Sequence, residues 1–339
     1  MRPFIYTRAN SPSFAVQTFP SGSAGPDVES PGQYLAGGTN LIDLMKIDVL
    51  RPQHVIDINA LASSPLGIIS TNAQELRLGA LVHMADAADH PEINRAVPVI
   101  AQSLRLAASQ QLRNMASLGG NVLQRTRCPY YRDVSYSQCN KRRPGSGCAA
   151  LDGFNRMHAV LGTSDQCIAT YPGDFAQALI ALDAQVELQG ANGTRAISVG
   201  ALHRRPGDRP DLETTLAPGE MITAFVIKPA PWMRRSLYLK IRDRGSYEFA
   251  LASAAVAMDL EDGRVREARI ALGGVATVPW RAQAAEALLR DQLFSEANAQ
   301  AAADAAFAGA RTREHNAFKV ELGKRTLKRA LTEVAAMEA

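Results

Sequence analysis

Ala116-Ser117-Leu118-Gly119-Gly120-Asn121 opens a segment of this 339-residue chain that closes at Cys167. All the cysteines lie in the last forty residues of the segment, with the spacing C-x10-C-x8-C-x18-C: Cys128, Cys139, Cys148 and Cys167. Cations stand close to them in sequence, at Arg125, Arg127, Lys141, Arg142 and Arg143. Because every thiol is collected in one stretch, we predict a loop excursion around a group that four thiolates can hold.

The cysteine spacing leaves several kinds of site open. Structural zinc sites usually contain a short pair such as C-x2-C, which this chain lacks. A 4Fe–4S cluster can be wrapped by a long loop, and its net charge of about −2 with four thiolates would be offset by the neighbouring Arg and Lys side chains. Two disulfides would need an oxidising compartment, and unliganded thiols are a further alternative.

Another glycine loop lies in residues 34–46. Tyr34-Leu35-Ala36 predicts the end of a strand, and residues 41–46 predict a helix. Gly37-Gly38 permits a tight turn and a close approach to a ligand, and Thr39 or Asn40 can cap the helix. This arrangement presents free N–H groups to phosphate, although an ordinary turn has a similar composition. Two such loops in one domain favour a dinucleotide.

Other sequence patterns do not indicate acid–base catalysis. The six histidines are scattered, and no strand precedes Gly145-Ser146-Gly147-Cys148-Ala149-Ala150, as a Rossmann fingerprint requires. Lys240-Ile241-Arg242-Asp243-Arg244 is a charge-dense strand end that needs no functional explanation by itself. We therefore predict no catalytic residue, which suits a protein whose chemistry belongs to cofactors.

Composition and charge are those of an ordinary globular protein. The chain is 46% hydrophobic and 21% charged, and its net charge of +4 is spread along the sequence. We predict no nucleic-acid binding. No apolar run reaches the ~20 residues that span a bilayer, and Met1–Arg8 lacks the apolar run of a signal peptide. We expect a protein that stays in the cytoplasm or is exported on a partner's signal.

The predicted elements describe an α+β protein in three parts. Residues 1–60 form a small βαβ unit, with strands at 4–6 and 55–58 and a loop at 20–33. Residues 61–229 combine a hairpin at 66–78 and helices near 83–89, 97–108 and 175–182 with strands at 186–188, 195–197 and 221–227 and a loop at 203–219. After Pro229-Ala230-Pro231, residues 230–339 hold three antiparallel strands (236–241, 250–260, 264–272) and helices at 282–289, 296–310 and 315–336.

Together these motifs resemble the FAD-binding subunits of the molybdenum hydroxylases, the xanthine dehydrogenase family. Leu35-Ala36-Gly37-Gly38-Thr39-Asn40-Leu41 and Ala116–Asn121 are similar to the two FAD loops of the family, and Gly273-Gly274-Val275-Ala276 with Pro279-Trp280-Arg281 is similar to its C-terminal domain. Most members lack the cysteine segment. It resembles that of the FAD subunits of bacterial periplasmic aldehyde oxidoreductases, where it carries a 4Fe–4S cluster.

The resemblance implies roles for individual residues. Leu35, Ala36, Gly37, Gly38, Thr39, Asn40, Leu41 and Ile42 would hold the FAD pyrophosphate, with Ser117, Gly120 and Asn121 continuing that contact. Asp174 would lie near the adenosine end, the backbone of Ile222 would meet the flavin or adenine, and Lys240 would stabilise the reduced, anionic flavin. The four cysteines would bind the cluster. An aromatic residue of some members corresponds to about Ala107, which leaves that stacking contact unassigned.

The function that the resemblance implies is electron transfer in a three-subunit molybdenum enzyme that oxidises aldehydes to carboxylic acids. Its partners would be a small 2Fe–2S subunit and a large molybdopterin subunit, with FAD passing electrons to an external acceptor. Such a subunit would reach the periplasm by co-export with a twin-arginine partner; the alternative is a cytoplasmic protein. Two rival functions remain: the β subunit of a 4-hydroxybenzoyl-CoA reductase-like enzyme, and a non-enzymatic, zinc-stapled scaffold.

Overall fold

The computed structural model of the protein describes residues 1–20, 30–72 and 74–338. The strands are β1 (Ile5–Arg8), β2 (Gly32–Leu35), β3 (His54–Asp57), β4 (Ile69–Thr71), β5 (Leu76–Gly79), β6 (Gln185–Gly190), β7 (Gly193–Ser198), β8 (Met221–Ile227), β9 (Ser236–Ile241), β10 (Ala252–Glu261), β11 (Arg264–Gly273) and β12 (Trp280–Arg281). The helices are α1 (Pro12–Thr18), α2 (Leu41–Lys46), α3 (Met84–Asp89), α4 (Pro91–Ala96), α5 (Pro98–Leu106), α6 (Gln110–Arg113), α7 (Leu118–Val122), α8 (Pro129–Arg132), α9 (Phe175–Ala181), α10 (Gln283–Leu289), α11 (Glu296–Ala306) and α12 (Phe318–Ala335). Among the described helices, none combines the length and the apolar character needed to span a membrane.

The N-terminal unit is a three-stranded parallel sheet with the order β1-β3-β2. Helices α1 and α2 form its two crossovers. Helix α1 was not predicted, although Ser11 caps it by accepting a hydrogen bond from the Phe14 N–H and Pro12 occupies its first turn. Of the predicted loop at 20–33, residues 32 and 33 belong to β2 instead, and residues 21–29 lie outside the described residues.

The middle part is an antiparallel sheet with the order β4-β5-β8-β6-β7, which shares one hydrophobic core with α3, α5 and α9. The rings of Phe175 on α9 and Phe225 on β8 meet edge to face at 5.6 Å in its core. The predicted hairpin starts later than residue 66, because Pro65–Gly67 forms a 3₁₀ turn capped by Ser64. Strand β8 lies between β5 and β6, so the sheet depends on pairings between distant segments.

The C-terminal part is an antiparallel sheet with the order β12-β11-β10-β9, covered by α10, α11 and α12. Asp262 and Gly263 both have positive φ in the β10–β11 turn, which confirms the predicted tight hairpin. The predicted number of three strands was one too low, since β12 has only two residues and no detectable alternation. The predicted α+β class is confirmed.

The three sheets occupy different stretches of the sequence. They span residues 5–57, 69–227 and 236–281, and the predicted boundaries at 60 and 229 fall between them. The cysteine segment, residues 124–168, interrupts the middle part and contains α8 as its one described α-helix. The segment also contacts the C-terminal part, because the Val160 N–H donates to the Val275 carbonyl at 2.8 Å.

Candidate cofactor sites

Both glycine loops border one cavity of about 1090 Å³, large enough for a dinucleotide. The other walls come from residues 212–222 and from the cysteine segment. Nine of the predicted cofactor residues line the cavity: Ala36, Gly37, Gly38, Thr39, Asn40, Leu41, Ser117, Gly120 and Ile222. Leu35, Ile42, Asn121, Asp174 and Lys240 lie outside its walls. Which of these residues contact a cofactor stays a prediction.

The first glycine loop touches the chain just before the second. A Cβ atom on Gly37 would come within 1.9 Å of the Met115 carbonyl oxygen, so a larger residue cannot occupy this position without moving one of the loops. Gly38 has a φ of +71°, which glycine adopts readily and other residues rarely do. The contact holds the start of α2 near the start of α7.

The second loop begins a helix. Ser117 caps α7 by accepting a hydrogen bond from the Gly120 N–H at 3.2 Å, and the Gly119 N–H donates to the Ala80 carbonyl at 2.8 Å. The Asn121 Oδ1 and Asn40 Nδ2 atoms are buried and have no hydrogen-bond partner within the described residues. The Asn40 Nδ2 and the N–H groups at the start of α2 can donate to an anionic ligand such as a diphosphate, whereas the Asn121 Oδ1 only accepts and would pair with a donor group of the ligand.

Asp174 and Lys240 form a buried ion pair. The Lys240 Nζ lies 2.7 Å from the Asp174 Oδ2, with 1% of the lysine side chain and 4% of the aspartate side chain exposed. The Tyr238 hydroxyl donates to the Asp174 Oδ1 at 2.6 Å, and burial with this carboxylate raises the Tyr238 pKa well above its usual value. The pair joins the start of α9 to β9 and thereby connects the middle and C-terminal parts.

Replacing Lys240 with methionine should destabilise the protein by about 3–5 kcal/mol, because it leaves the Asp174 carboxylate buried without its cation. The free energy of unfolding in urea measures this. Lys328→Met is the matched control, since Lys328 pairs with Glu296 at 2.6 Å on the surface, and a surface pair contributes about 0–1 kcal/mol. Equal losses in both variants would contradict a buried, structural pair.

Glu213 is part of a charge cluster that the sequence did not reveal. It lies 2.5 Å from both the Arg125 Nε and the Lys141 Nζ. Burial favours the neutral forms, but the attraction raises the pKa of Lys141 and lowers that of Glu213, so all three stay charged. No local pattern marks Glu213, because Lys141 is 72 residues away in sequence. The cluster ties the loop at 203–219 to the cysteine segment.

The four cysteines converge within the cysteine segment and form no disulfide. The backbones of Cys139 and Cys148 form an isolated antiparallel β-bridge. The thiol of Cys167 hydrogen-bonds to that of Cys148. Burial raises the pKa of Cys139, and that of Cys128 to about 12. No three His, Cys, Asp or Glu side chains of the described residues are arranged to hold a single metal ion. All four cysteines are free and lie in one segment, which makes this donor set compatible with a larger thiolate-bound group.

Hydrogen-bond donors and cations surround these thiols. The His158 Nε2 lies 3.1 Å from the Cys128 Sγ, and the Ala169 N–H donates to the Cys167 Sγ at 3.4 Å. The hydrogen bond with Cys148 and burial raise the pKa of Cys167 well above its usual value, and the positive charge of Lys141 opposes that rise. Lys319, which is fully buried, donates to the carbonyl of His158 at 3.1 Å and fixes the backbone there. Such an environment fits an anionic group bound by thiolates.

Two family models match successive parts of the chain. Residues 2–231 match the FAD binding domain in molybdopterin dehydrogenase, and residues 237–334 match the CO dehydrogenase flavoprotein C-terminal domain. The aldehyde oxidoreductase FAD-binding subunit PaoB of Escherichia coli (strain K12) is 45% identical over 338 residues, which are 99% of both chains. The glyceraldehyde dehydrogenase medium chain of Sulfolobus acidocaldarius is 26% identical and covers 84% of this chain and 79% of its own.

A solved structure extends the comparison to the fold. The carbon monoxide dehydrogenase of Hydrogenophaga pseudoflava contains a chain that superposes with a TM-score of 0.74 and 26% sequence identity. The match covers 99% of this chain and 98% of that chain. The similarity in fold therefore extends over nearly the whole of both chains.

Proposed function

Since this chain belongs to the family of FAD-binding subunits of the molybdenum hydroxylases, we propose that it is the electron-transfer subunit of an aldehyde oxidoreductase and carries FAD and a 4Fe–4S cluster. The observation that carries the proposal is the single cavity bordered by both glycine loops and by the cysteine segment. The relative with 45% identity is an aldehyde oxidoreductase subunit, which supports aldehydes as the substrate class.

The residues around the cavity would bind and orient FAD. The loop Ala36–Leu41 would donate backbone N–H groups to the diphosphate at the start of α2, and the Ser117 hydroxyl at the start of α7 would donate a further hydrogen bond. The contact between Gly37 and Met115 would keep both loops at the right separation. Ile222, at the wall on β8, would supply an apolar surface.

The cysteine segment would hold the cluster through Cys128, Cys139, Cys148 and Cys167. Four free thiols, two of them buried and two half-buried, are the donor set that a 4Fe–4S cluster requires. The His158 ring nitrogen near Cys128 and the Ala169 N–H near Cys167 would stabilise thiolate charge by hydrogen bonding. Lys141 would offset the negative charge of the group.

The partners would be a small 2Fe–2S subunit and a large molybdopterin subunit in a heterotrimer. Aldehyde oxidation would take place in the large subunit, and bound FAD would supply the centre through which two electrons leave for an external acceptor. This chain contributes no acid or base to that reaction. The likeness to a medium chain of a multi-subunit dehydrogenase supports this division of labour.

We also propose that the subunit reaches the periplasm by co-export with a twin-arginine partner. This rests on the resemblance of the cysteine segment to that of periplasmic aldehyde oxidoreductases. Fractionation of cells that express all three subunits tests it. Recovery of the folded complex in the periplasmic fraction is expected, and its complete retention in the cytoplasm would contradict the proposal.

The visible spectrum and metal content of anaerobically purified protein test the cofactors directly. Flavin bands, a broad iron–sulfur absorbance and about four irons per chain are expected. Flavin without iron would contradict the proposed 4Fe–4S cluster, while the proposal of an FAD-binding subunit would stand. Zinc in place of iron would assign the thiols to a structural metal. Absence of flavin after reconstitution would overturn the proposed function.

A further inference from the structure

The cysteine segment also contains a hairpin that reaches the flavin cavity. We define the cysteine hairpin as residues 139–148. A backbone β-bridge between Cys139 and Cys148 closes its base. The Asn140 N–H donates to the Gly147 carbonyl at 2.8 Å, and the Arg143 N–H donates to the Cys139 carbonyl at 2.8 Å. Its tip, residues 142–144, lines the same cavity as the two glycine loops.

Of the two arginines at this tip, Arg143 is the one whose side chain has no partner among the described residues. The Arg142 guanidinium donates hydrogen bonds to backbone carbonyls. Its Nη1 lies 3.0 Å from the Tyr131 carbonyl oxygen and 2.6 Å from that of Asp133. Within the part of the chain that the structure describes, the exposed Arg143 guanidinium has neither a hydrogen bond nor an ion pair. It is therefore available to a ligand in the cavity.

The acidic side chains of the cavity wall do not compete for Arg143. Asp48 lies 2.9 Å from Arg51. Glu213 is held by Arg125 and Lys141, as described above, and Glu220 lies 2.6 Å from Arg195. Because each wall carboxylate already has a cation, the remaining positive charge of Arg143 attracts an anionic ligand.

We propose that Arg143 forms an ionic contact with the diphosphate of FAD and that the cysteine hairpin thereby couples the thiol site to flavin affinity. This inference rests on the proposed function and adds a binding residue from outside the two glycine loops. The two cysteines fix the base of the hairpin, and the base positions the tip. A change at the thiols therefore reaches the flavin through the backbone of ten residues.

The test measures the FAD dissociation constant of the flavin-free full-length chain by quenching of flavin fluorescence, and the affinity for ADP by competition. Arg143→Gln should weaken both FAD and ADP by about tenfold at low salt, since ADP carries the same diphosphate. The difference from the parent should shrink at high salt, because the contact is exposed to solvent. Arg290→Gln, which removes an exposed arginine outside the cavity walls, is the control and should leave both affinities unchanged.

A double-mutant cycle tests the coupling. In a Cys148→Ser background, Arg143→Gln should cost less affinity than in the parent, because the tip is no longer positioned. Unchanged FAD and ADP binding in folded Arg143→Gln overturns the inference while the proposed function stands. Additive effects in the cycle overturn the coupling. A parent chain that binds no FAD overturns the proposed function, and the inference with it.

Discussion

Replacing Gly37 with alanine should lower FAD affinity by at least about a hundredfold. The added Cβ would lie 1.9 Å from the Met115 carbonyl oxygen, and neither atom can rotate away, because the backbone fixes the position of both. One of the two loops must therefore shift by more than an ångström, which moves N–H groups at the start of α2 or α7. Titration of the flavin-free protein with FAD measures the loss.

A graded series of alanine substitutions separates this effect from a general cost of losing glycine. A Cβ on Gly119 would lie 3.1 Å from the Ala80 Cβ, which small adjustments can relieve, and a Cβ on Gly309 would have no neighbour within 4 Å. We expect affinity to fall in the order Gly309→Ala, Gly119→Ala, Gly37→Ala. Circular dichroism confirms folding of each variant, and full affinity in folded Gly37→Ala would remove the loop contact from the FAD site.

Local sequence patterns predicted most elements of the fold. Strands β8 and β9 have the predicted bounds, since each alternates or buries its side chains over six or seven residues. Helix α12 was predicted from the spacing of Phe318, Leu322, Leu327, Leu331 and Val334, of which the last three are buried and Phe318 is exposed. Elements with a regular spacing of apolar residues can be predicted from their own sequence. Strand β12 is too short to show one.

The sheet order could not be predicted, because it depends on distant pairings. Strand β8 pairs with β5, about 145 residues earlier, and with β6. The position of β8 nevertheless decides the cavity, since it brings Ile222 opposite the glycine loops. The same limit explains the ion pair of Asp174 and Lys240. The sequence did not indicate that these two residues pair with each other, and their contacts with FAD stay predictions.

The arrangement of the thiols could be predicted only in part. Clustering along the sequence indicated a shared site, and the structure brings the four residues together without a disulfide. Their neighbours were not predictable. His158 lies 30 residues from Cys128, and Lys319 comes from a helix of the C-terminal part. These contacts join the thiol site to distant parts of the protein. The positions of the thiols therefore depend on the tertiary fold, which the spacing of the cysteines in the sequence does not reveal.

Replacing Cys139 with serine should remove the iron–sulfur cluster. Cys139 is buried at the base of the cysteine hairpin, where its backbone accepts hydrogen bonds from the Arg142 and Arg143 N–H groups. Serine preserves the shape of the site but supplies a hydroxyl, which is a poor ligand for iron in place of a thiolate. We expect iron to fall from about four per chain to near zero, with loss of the broad visible absorbance.

Iron analysis and thiol counts on the same samples distinguish the possible states of the cysteines. Ser135→Ala is the control, because it removes an exposed hydroxyl from the same segment and should keep the full iron content. Flavin should bind Cys139→Ser more weakly but still measurably, since the glycine loops remain intact. Full iron in Cys139→Ser would exclude Cys139 as a ligand. If the parent instead shows no iron and no reactive thiols when denatured without reductant, the cysteines are paired as disulfides, and the free thiols seen here describe a reduced form.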